Sequence, residues 1–454
     1  MAGGRGVRMQ SVLPKVLHAV GGTPMILRVV QAARAAGVDE IVVVVGKDGD
    51  AVRAAIGGDV RVAVQHEPLG TGDAVRVALG ALPSDFDRLI VLGADTPLIT
   101  AATLQRMLRQ VPPSAIALLA GRIADPSGYG RVVSDGFGHA LRIVEEPDAT
   151  AEQRSIDLVN GMVFVFHGRW LRAELPGLRP SPGGEVYLTA LVDRAADSGR
   201  SVDIVEATDI GEILGVNTRR QLAAAEALLR ERVHNRLMDA GVTVLDPAST
   251  FVEESAVFGH DIVLHPHTYV RGRSIVGDGC VLGPGAEIIN CRLGVGARVW
   301  WSVVEEAEIG DGVTIGPYAR VRAGTALAPG VALGSFAEVK NSSLGPRTQM
   351  HHFGYVGDAE VGADVNIGAG AVTCNFDGRE KHRTVIGEGA FIGSDTMLVA
   401  PVTVGTGAVT GAGSVVTRDV ADHQTVVGVP ARMFRRKNAD AAGPDPANAP
   451  PENE

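Results

Sequence analysis

Residues 309–317 read Ile309-Gly310-Asp311-Gly312-Val313-Thr314-Ile315-Gly316-Pro317, and the aliphatic residue that opens this stretch returns every six positions. Ile309, Ile315, Val321, Leu327, Leu333 and Val339 keep the step without a gap, and Ile386, Ile392, Leu398, Val404, Thr410 and Val416 repeat it. Most of these residues are followed by glycine or another small residue. A Gly/Val-rich β-sandwich has a comparable composition but keeps no six-residue register. The rest of the composition agrees with a tightly turning chain. Glycine makes up 58 of 454 residues, about twice the usual share, while aromatics are only 4%. Cores of small aliphatic side chains between frequent turns follow from that. The glycines have no period of three, which excludes collagen, and 45% apolar residues exclude a disordered chain.

These hexads resemble the left-handed parallel β-helix of hexapeptide-repeat acyltransferases. The resemblance implies one short strand per hexad and three hexads per triangular coil. The aliphatic residue then points into the prism, and coils stack at the ~4.8 Å strand spacing. The handedness is an exception to the right-handed crossover rule. We assign 241–437 to this domain.

Upstream the pattern changes. Ile41 to Val45 is a run of β-branched residues of the kind a parallel sheet buries, and Leu89 to Leu92 and Val163 to Phe166 are similar. Helical stretches lie between, Pro24 to Ala36 before Gly37 and Asp73 to Leu82 before Pro83. Strands separated by helices predict βαβ units and a doubly wound, Rossmann-like α/β domain over 1–217. Residues 218–240, rich in Ala, Leu, Arg and Glu, predict a linker helix that Gly241 ends. The tail 438–454 is Ala, Pro, Asn and acid, and is expected to be disordered.

A net charge of −10 argues against nucleic-acid binding, so an anionic substrate must be held by local Arg, Lys and backbone N–H groups. The three cysteines, Cys280, Cys291 and Cys374, are too scattered for a disulfide framework or a zinc site. No apolar run approaches the length of a membrane span, and Arg5, Arg8 and Lys15 precede no apolar signal segment. A cytoplasmic location is expected.

The first chemically loaded segment is Gly3-Gly4-Arg5-Gly6-Val7-Arg8-Met9, followed by Leu13-Pro14-Lys15. A glycine-rich loop brings backbone N–H groups close to phosphates, and nearby cations offset their charge. The spacing resembles the G-x-G-T-R-M…L-P-K signature of sugar-phosphate nucleotidyltransferases. That resemblance implies that Arg8 and Lys15 grip a nucleoside triphosphate and the charge developing on its α-phosphate. Gln65 to Gly72, with Gln65, Gly70 and Thr71, resembles the family loop that reads uracil. Asp95, in Gly93-Ala94-Asp95, falls at the carboxyl end of a strand, where open α/β sheets build their sites. Its family counterpart binds Mg²⁺ together with an Asn, here Asn217, a hard-oxygen set suited to that ion. Gly130, Glu145 and Asn160 match positions that hold the sugar and its N-acetyl group.

In the hexad half the polar residues that interrupt the repeat are informative. Arg320 and Arg322 flank Val321, and Lys340 follows Val339. Cations on adjacent coils repel unless an anion sits between them, and a sugar phosphate is a natural candidate. Acetyl transfer from a thioester to an amine needs a base, and histidine titrates in the right range. The family motif, a His three residues before a Tyr, selects His352 with Tyr355 over His351. Glu338, Asn366, Asn375 and Phe376 match family positions that bind the sugar or orient the base and the thioester. Ser394 and Ala412 fall at its acetyl-CoA site. Lys381 and the basic run Arg432, Arg435, Arg436 and Lys437 are further candidates for the CoA phosphates.

Over residues 1 to about 425 the order of parts resembles the bifunctional glucosamine-1-phosphate N-acetyltransferase / N-acetylglucosamine-1-phosphate uridyltransferase family. The family implies acetylation of glucosamine-1-phosphate by acetyl-CoA, then Mg²⁺-dependent uridylyl transfer from UTP with release of pyrophosphate. The product is UDP-N-acetylglucosamine, a peptidoglycan precursor. It also implies a homotrimer with acetyl sites between neighbouring β-helices. There are departures. Family members carry a full apolar strand before the glycine loop, which is expected to be missing here, exposing its neighbours' edges. Val7 stands for Thr, Ala190 for Asp, Phe353-Gly354 for Leu-Thr and Phe376 for Tyr. The alternatives are a single-activity enzyme of the same architecture and a non-catalytic trimeric scaffold.

Overall fold

The computed structural model describes residues 1–4, 6–110, 116–181 and 183–434. The tail 438–454 and the cations Arg435, Arg436 and Lys437 lie outside them. The chain forms two compact units, Met1–Arg230 and Glu231–Glu454.

The first unit opens with a hairpin, β1 (Ala19–Val20) and β2 (Thr23–Pro24), leading into α1 (Met25–Ala35). There follow β3 (Val42–Gly46), α2 (Asp50–Ile56), β4 (Arg61–Gln65), α3 (Thr71–Ala81), β5 (Arg88–Val91), α4 (Ala101–Gln110) and β6 (Ile116–Arg122). Next come β7 (Arg131–Ser134), β8 (Ala140–Val144), α5 (Ala151–Arg154), β9 (Leu158–His167), α6 (Gly168–Glu174), α7 (Ala190–Asp197) and β10 (Val202–Glu206). Of the β-branched run Ile41 to Val45, Val43, Val44 and Val45 expose 5% or less while Ile41 and Val42 are half-buried, and in β6 Ile116 to Ala120 expose 1% or less.

The sheet is mixed where a doubly wound sheet predicts parallel strands. β3 pairs with β4 and β10 with β6 in parallel, but β9 runs antiparallel to β5, β6 and β7. The reason lies in the connections. β7 and β8 form an antiparallel hairpin that reverses the chain, and the crossover holding α5 keeps the direction of β8, so β9 enters between β6 and β7 antiparallel to both. β3 and β5 do not pair with each other. Met1 and Ala2 lie between them: Ala2 N–H donates to Val44 O (2.7 Å) and Ala94 N–H to Met1 O (3.0 Å). An apolar cavity of about 110 Å³, lined by Met1, Val42, Val44, Leu89, Val91 and their neighbours, extends along the same gap.

The predicted linker is α8 (Arg219–Asp239). Ala225, Leu229, Val233 and Leu237, four residues apart, form a stripe in which each exposes 5% or less. The division between units falls inside this helix, at 230/231.

The second unit is the expected left-handed parallel β-helix. Short strands lie in three sheets, and each strand pairs with the one a full coil later: Arg320–Val321 with Ala337–Lys340, then with Gly354–Gly357. A coil is 18 residues from Ile309 to Leu327 and 17 from Leu327 to Leu344, which is why the strict hexad ends after Val339. All twelve hexad residues quoted above expose 3% or less. The coil between Asn366 and Phe391 carries an excursion, residues 375–383, that projects polar groups outward.

Candidate active sites

In the first unit, Lys15 follows Pro14 on a 3₁₀ turn, Lys15–Leu17, and its side chain is only 11% exposed. Gly6, at φ +60°, packs against it, and a Cβ at Gly6 would stand 2.6 Å from Lys15 Cβ. This glycine is required by both its conformation and its neighbour. Lys15 Nζ donates to Asp95 Oδ2 (2.6 Å) and to Asn217 Oδ1 (2.9 Å). The two residues expected to hold a metal therefore converge on one point. Asp95 follows β5, and its carbonyl accepts from Val216 N–H (2.8 Å), which fixes the neighbouring Asn217 beside it.

An open cleft of about 440 Å³ is lined by Gly3, Gly4, Lys15, Gln65, Gly70, Thr71, Asp95, Glu145 and Tyr187. Most of the expected uridylyl-site residues thus face one space. Gln65 is buried, with Nε2 donating to Asp73 Oδ2 (2.9 Å) and Gly70 O (3.2 Å). Gly70 has φ +112°, and a Cβ there would lie 2.6 Å from Val186 O. Thr71 Oγ1 accepts from Leu188 N–H (2.9 Å), so this loop and the 186–189 segment are stitched together. Glu145 accepts from Thr189 Oγ1 (2.9 Å), and burial pushes its carboxyl above the usual range. Gly130 and Asn160 are not among the lining residues. They are buried behind it, joined by Asn160 N–H to Gly130 O (2.8 Å), and a Cβ at Gly130 would stand 3.2 Å from Glu145 Oε2. Arg8 is exposed on the Val7–Met9 turn and does not line the cleft.

Sequence reasoning missed Tyr187, Thr189 and Glu185. The only signal there was the segment Tyr187-Leu188-Thr189-Ala190, noted for a lacking Asp. Asp95 and Asn217 fit Mg²⁺, an ion that takes few protein oxygens and leaves positions for phosphates and water. Among the described residues no cluster of three or more His, Cys, Asp or Glu offers an alternative cage.

In the β-helix, Arg322 and Lys340 stand in one column, because Arg320 opposes Glu338 and Val321 opposes Val339. Arg322 Nη1 donates to Glu338 Oε1 (2.8 Å), while Arg320 lies 3.8 Å from Glu305. Lys381, from the excursion, lies against Lys340 and holds its pKa below the ordinary lysine range. Tyr355 covers Gly357, where any side chain would collide with its ring. Asn375 donates to Asp358, as does Asn341 (2.5 Å). Burial opposes the charge on Asp358, yet those bonds and the two lysines keep its carboxyl below the usual range. Phe376 is exposed at the tip and bridges to Lys381.

His352 is exposed at a corner. Register places Ser394 and Ala412 at that same corner, since each lies three residues past a strand position aligned with Gln349, through Asn366, Phe391 and Val409. Asn366 belongs to the strand before the corner. Arg432 lies on the last strand, beyond Ala412, and does not approach His352. The single chain thus gathers an Arg322, Lys340 and Lys381 cluster near Tyr355 and a separate corner ladder from His352 to Ala412.

Comparison with known proteins agrees with both halves. The MobA-like NTP transferase domain family matches residues 1–244, and the bacterial transferase hexapeptide family (six repeats) matches 383–418. The bifunctional protein GlmU of Heliobacterium modesticaldum is 45% identical over 423 residues, 92% of each chain. That of Carboxydothermus hydrogenoformans is 42% identical over 423 residues, 92% of this chain and 94% of the other. A nucleotidyl transferase from Methanothermobacter thermautotroptrophicus aligns with 51% of this chain and 95% of its own, at 24% identity and a TM-score of 0.38. With a nucleotidyltransferase half, a hexapeptide-repeat half and relatives of this identity along nearly its whole length, the chain belongs to the GlmU family of bifunctional transferases.

Proposed function

We propose that this chain makes UDP-N-acetylglucosamine in two steps, acetylating glucosamine-1-phosphate with acetyl-CoA and then joining the product to UTP. The observation that carries the second step is the convergence of Lys15, Asp95 and Asn217. Asp95 and Asn217 would hold Mg²⁺, which when bound offsets phosphate charge. The glycine loop and Lys15 grip the triphosphate and stabilise charge on its α-phosphorus as the sugar phosphate attacks in line. Arg8, on its exposed turn, adds charge at the rim. Gln65, Gly70 and Thr71 receive the uracil, and Glu145, supported from behind by Gly130 and Asn160, receives the sugar.

In the β-helix, Arg322, Lys340 and Lys381 form the anion clamp for the sugar phosphate, and Glu338 aims Arg322. His352 takes the proton from the attacking amine, with Tyr355, Asn366 and Asn375 as sugar contacts. The corner ladder of Ser394 and Ala412, with Phe376 and Arg432, supplies the acetyl-CoA track. The assembly is a homotrimer. Supporting this, Trp301, Tyr318 and Phe336 form an exposed ring ladder on the His352 corner, with centroids 6.5 and 5.3 Å apart, a surface of the kind that partners cover. Among the described residues no helix is long and apolar enough to cross a membrane, and we place the protein in the cytoplasm.

Two assays test this. The chain given UTP, N-acetylglucosamine-1-phosphate and Mg²⁺ is expected to release pyrophosphate. Given glucosamine-1-phosphate and acetyl-CoA it is expected to release CoA, and His352→Ala to stop that release while sparing the first reaction. CoA release at the parent rate in His352→Ala overturns the acetyl-site assignment.

A further inference from the structure

The start of α8 does more than begin a helix. Thr218 Oγ1 accepts from Gln221 N–H (3.2 Å), and Gln221 Oε1 accepts from the N–H groups of Asn217 (2.8 Å) and Thr218 (3.1 Å). This is a reciprocal capping box, and it fastens Asn217 to the first turn of the helix. The next residue, Arg219, reaches back across the unit. Its Nε donates to Met9 O (3.3 Å) and its Nη1 to His18 Nδ1 (3.1 Å). Met9 and His18 expose only 1% and 7%, so both acceptors are fixed in the core, whereas Arg219 itself is exposed. A guanidinium only donates, so Nδ1 must be the unprotonated nitrogen of a neutral His18 ring.

The placement of these two acceptors matters. Met9 closes the turn that carries Arg8, and His18 closes the turn that carries Lys15. One guanidinium therefore ties both cation-bearing turns to the helix whose capped end presents Asn217. Glu226 repeats the grip about two turns further on, accepting from Gly21 N–H (2.9 Å) in the β1–β2 hairpin.

We propose that Arg219 is a positioning residue for uridylyl transfer: with His18 as its neutral acceptor, it sets the reach of Lys15 toward Asp95 and Asn217 without touching substrate. The inference rests on the uridylyl reading of this site. An error of about 1 Å in a reacting group costs on the order of a hundredfold in rate, so an exposed residue acting this way has a large kinetic effect and a small effect on folding.

The test is a kinetic double-mutant cycle on the full chain with Arg219→Ala, Lys15→Ala and the double variant, following pyrophosphate release, with acetyl transfer as an internal control. Arg219→Ala is expected to lower kcat by about 10–100-fold, to change KM for UTP little and to leave CoA release at the parent rate. Added to Lys15→Ala, it is expected to cost less than about threefold, because it acts through Lys15. Arg219→Lys, which cannot supply the fork, is expected to recover only part of the loss. Product binding by calorimetry separates positioning from partial unfolding. Full UDP-N-acetylglucosamine stoichiometry with reduced kcat supports the role, while reduced stoichiometry with parent kcat per occupied site overturns it. Effects that multiply in the double variant overturn it too. A parent chain that releases no pyrophosphate overturns the uridylyl reading itself, and this inference with it.

Discussion

Lys15 sits where a divalent cation is expected to bind, and that makes a sharp prediction for Lys15→Met. The substitution keeps the length and apolar stem of the side chain and deletes its charge. In the free protein the ammonium satisfies Asp95 (2.6 Å) and Asn217 (2.9 Å), with the lysine 11% and the aspartate 28% exposed. A hydrogen bond to a charged group in such a setting contributes about 1.5–3 kcal/mol. An ion arriving without nucleotide must displace it. At about 1.4 kcal/mol per tenfold, removing the ammonium should tighten metal binding by about 10–100-fold. The same change should lower kcat for pyrophosphate release by about 10²–10³, the usual cost of losing one preorganised donor at developing charge. Mn²⁺ titration followed by electron paramagnetic resonance reads the first effect and steady-state turnover the second. Asp95→Asn serves as the control that weakens metal binding in either background. Mn²⁺ binding that is unchanged or weaker in Lys15→Met would refute the idea that the lysine and the ion share Asp95 and Asn217.

Further expectations concern neighbouring parts. Gly70→Ala places a Cβ 2.6 Å from Val186 O and 2.7 Å from Val186 N at φ +112°, a strain of about 1–3 kcal/mol; KM for UTP should rise about tenfold or more with acetyl transfer unaltered, and an unchanged KM would remove this loop from the nucleotide site. His18 has a lowered pKa, first from burial and then from Arg219. Its neutral form is the native one, so the unfolded chain takes up the proton first. The His18 contribution to the stability of the α/β unit should be complete above pH 6.5 and be lost as pH drops below it, a component of the pH profile that thermal melts of His18→Gln should lack. Leu333→Ala, at a prism position 2% exposed, should cost about 2–5 kcal/mol in the denaturation midpoint of the β-helix; a change within error would place Leu333 outside the prism interior.

What could be read from the sequence was local or periodic. Ile309 to Val339 announced the prism because each hexad repeats the same inward residue, and burial depends only on that position within the coil. Lys15, Asp95 and Asn217 were legible because each stands on a short motif, although nothing in the chain shows that one ammonium joins the other two. The direction of β9 was not legible. A run such as Val163 to Phe166 is equally apolar in parallel or antiparallel pairing, and the β7–β8 hairpin that reverses the chain before it decides. Arg219 escaped for a different reason. Its partners lie 201 and 210 residues away, and an arginine in the first turn of a helix otherwise reads as a solvated side chain.

The corner shared by His352, Ser394 and Ala412 works as a ruler. Each coil bonds only to the coils before and after it, so the stack is graduated in steps of ~4.8 Å, and three steps separate the first of these residues from the last. A long, thin acyl carrier laid along that corner is measured in whole coils. Inserting or deleting a coil of 17 or 18 residues moves the marks apart or together by one graduation and leaves every side chain facing as before. Losing one residue inside a strand turns the downstream marks off the scale. The excursion at 375–383 shows how the chain adds chemistry without disturbing the spacing: it leaves the stack and returns to it, and the next coil resumes at the next graduation.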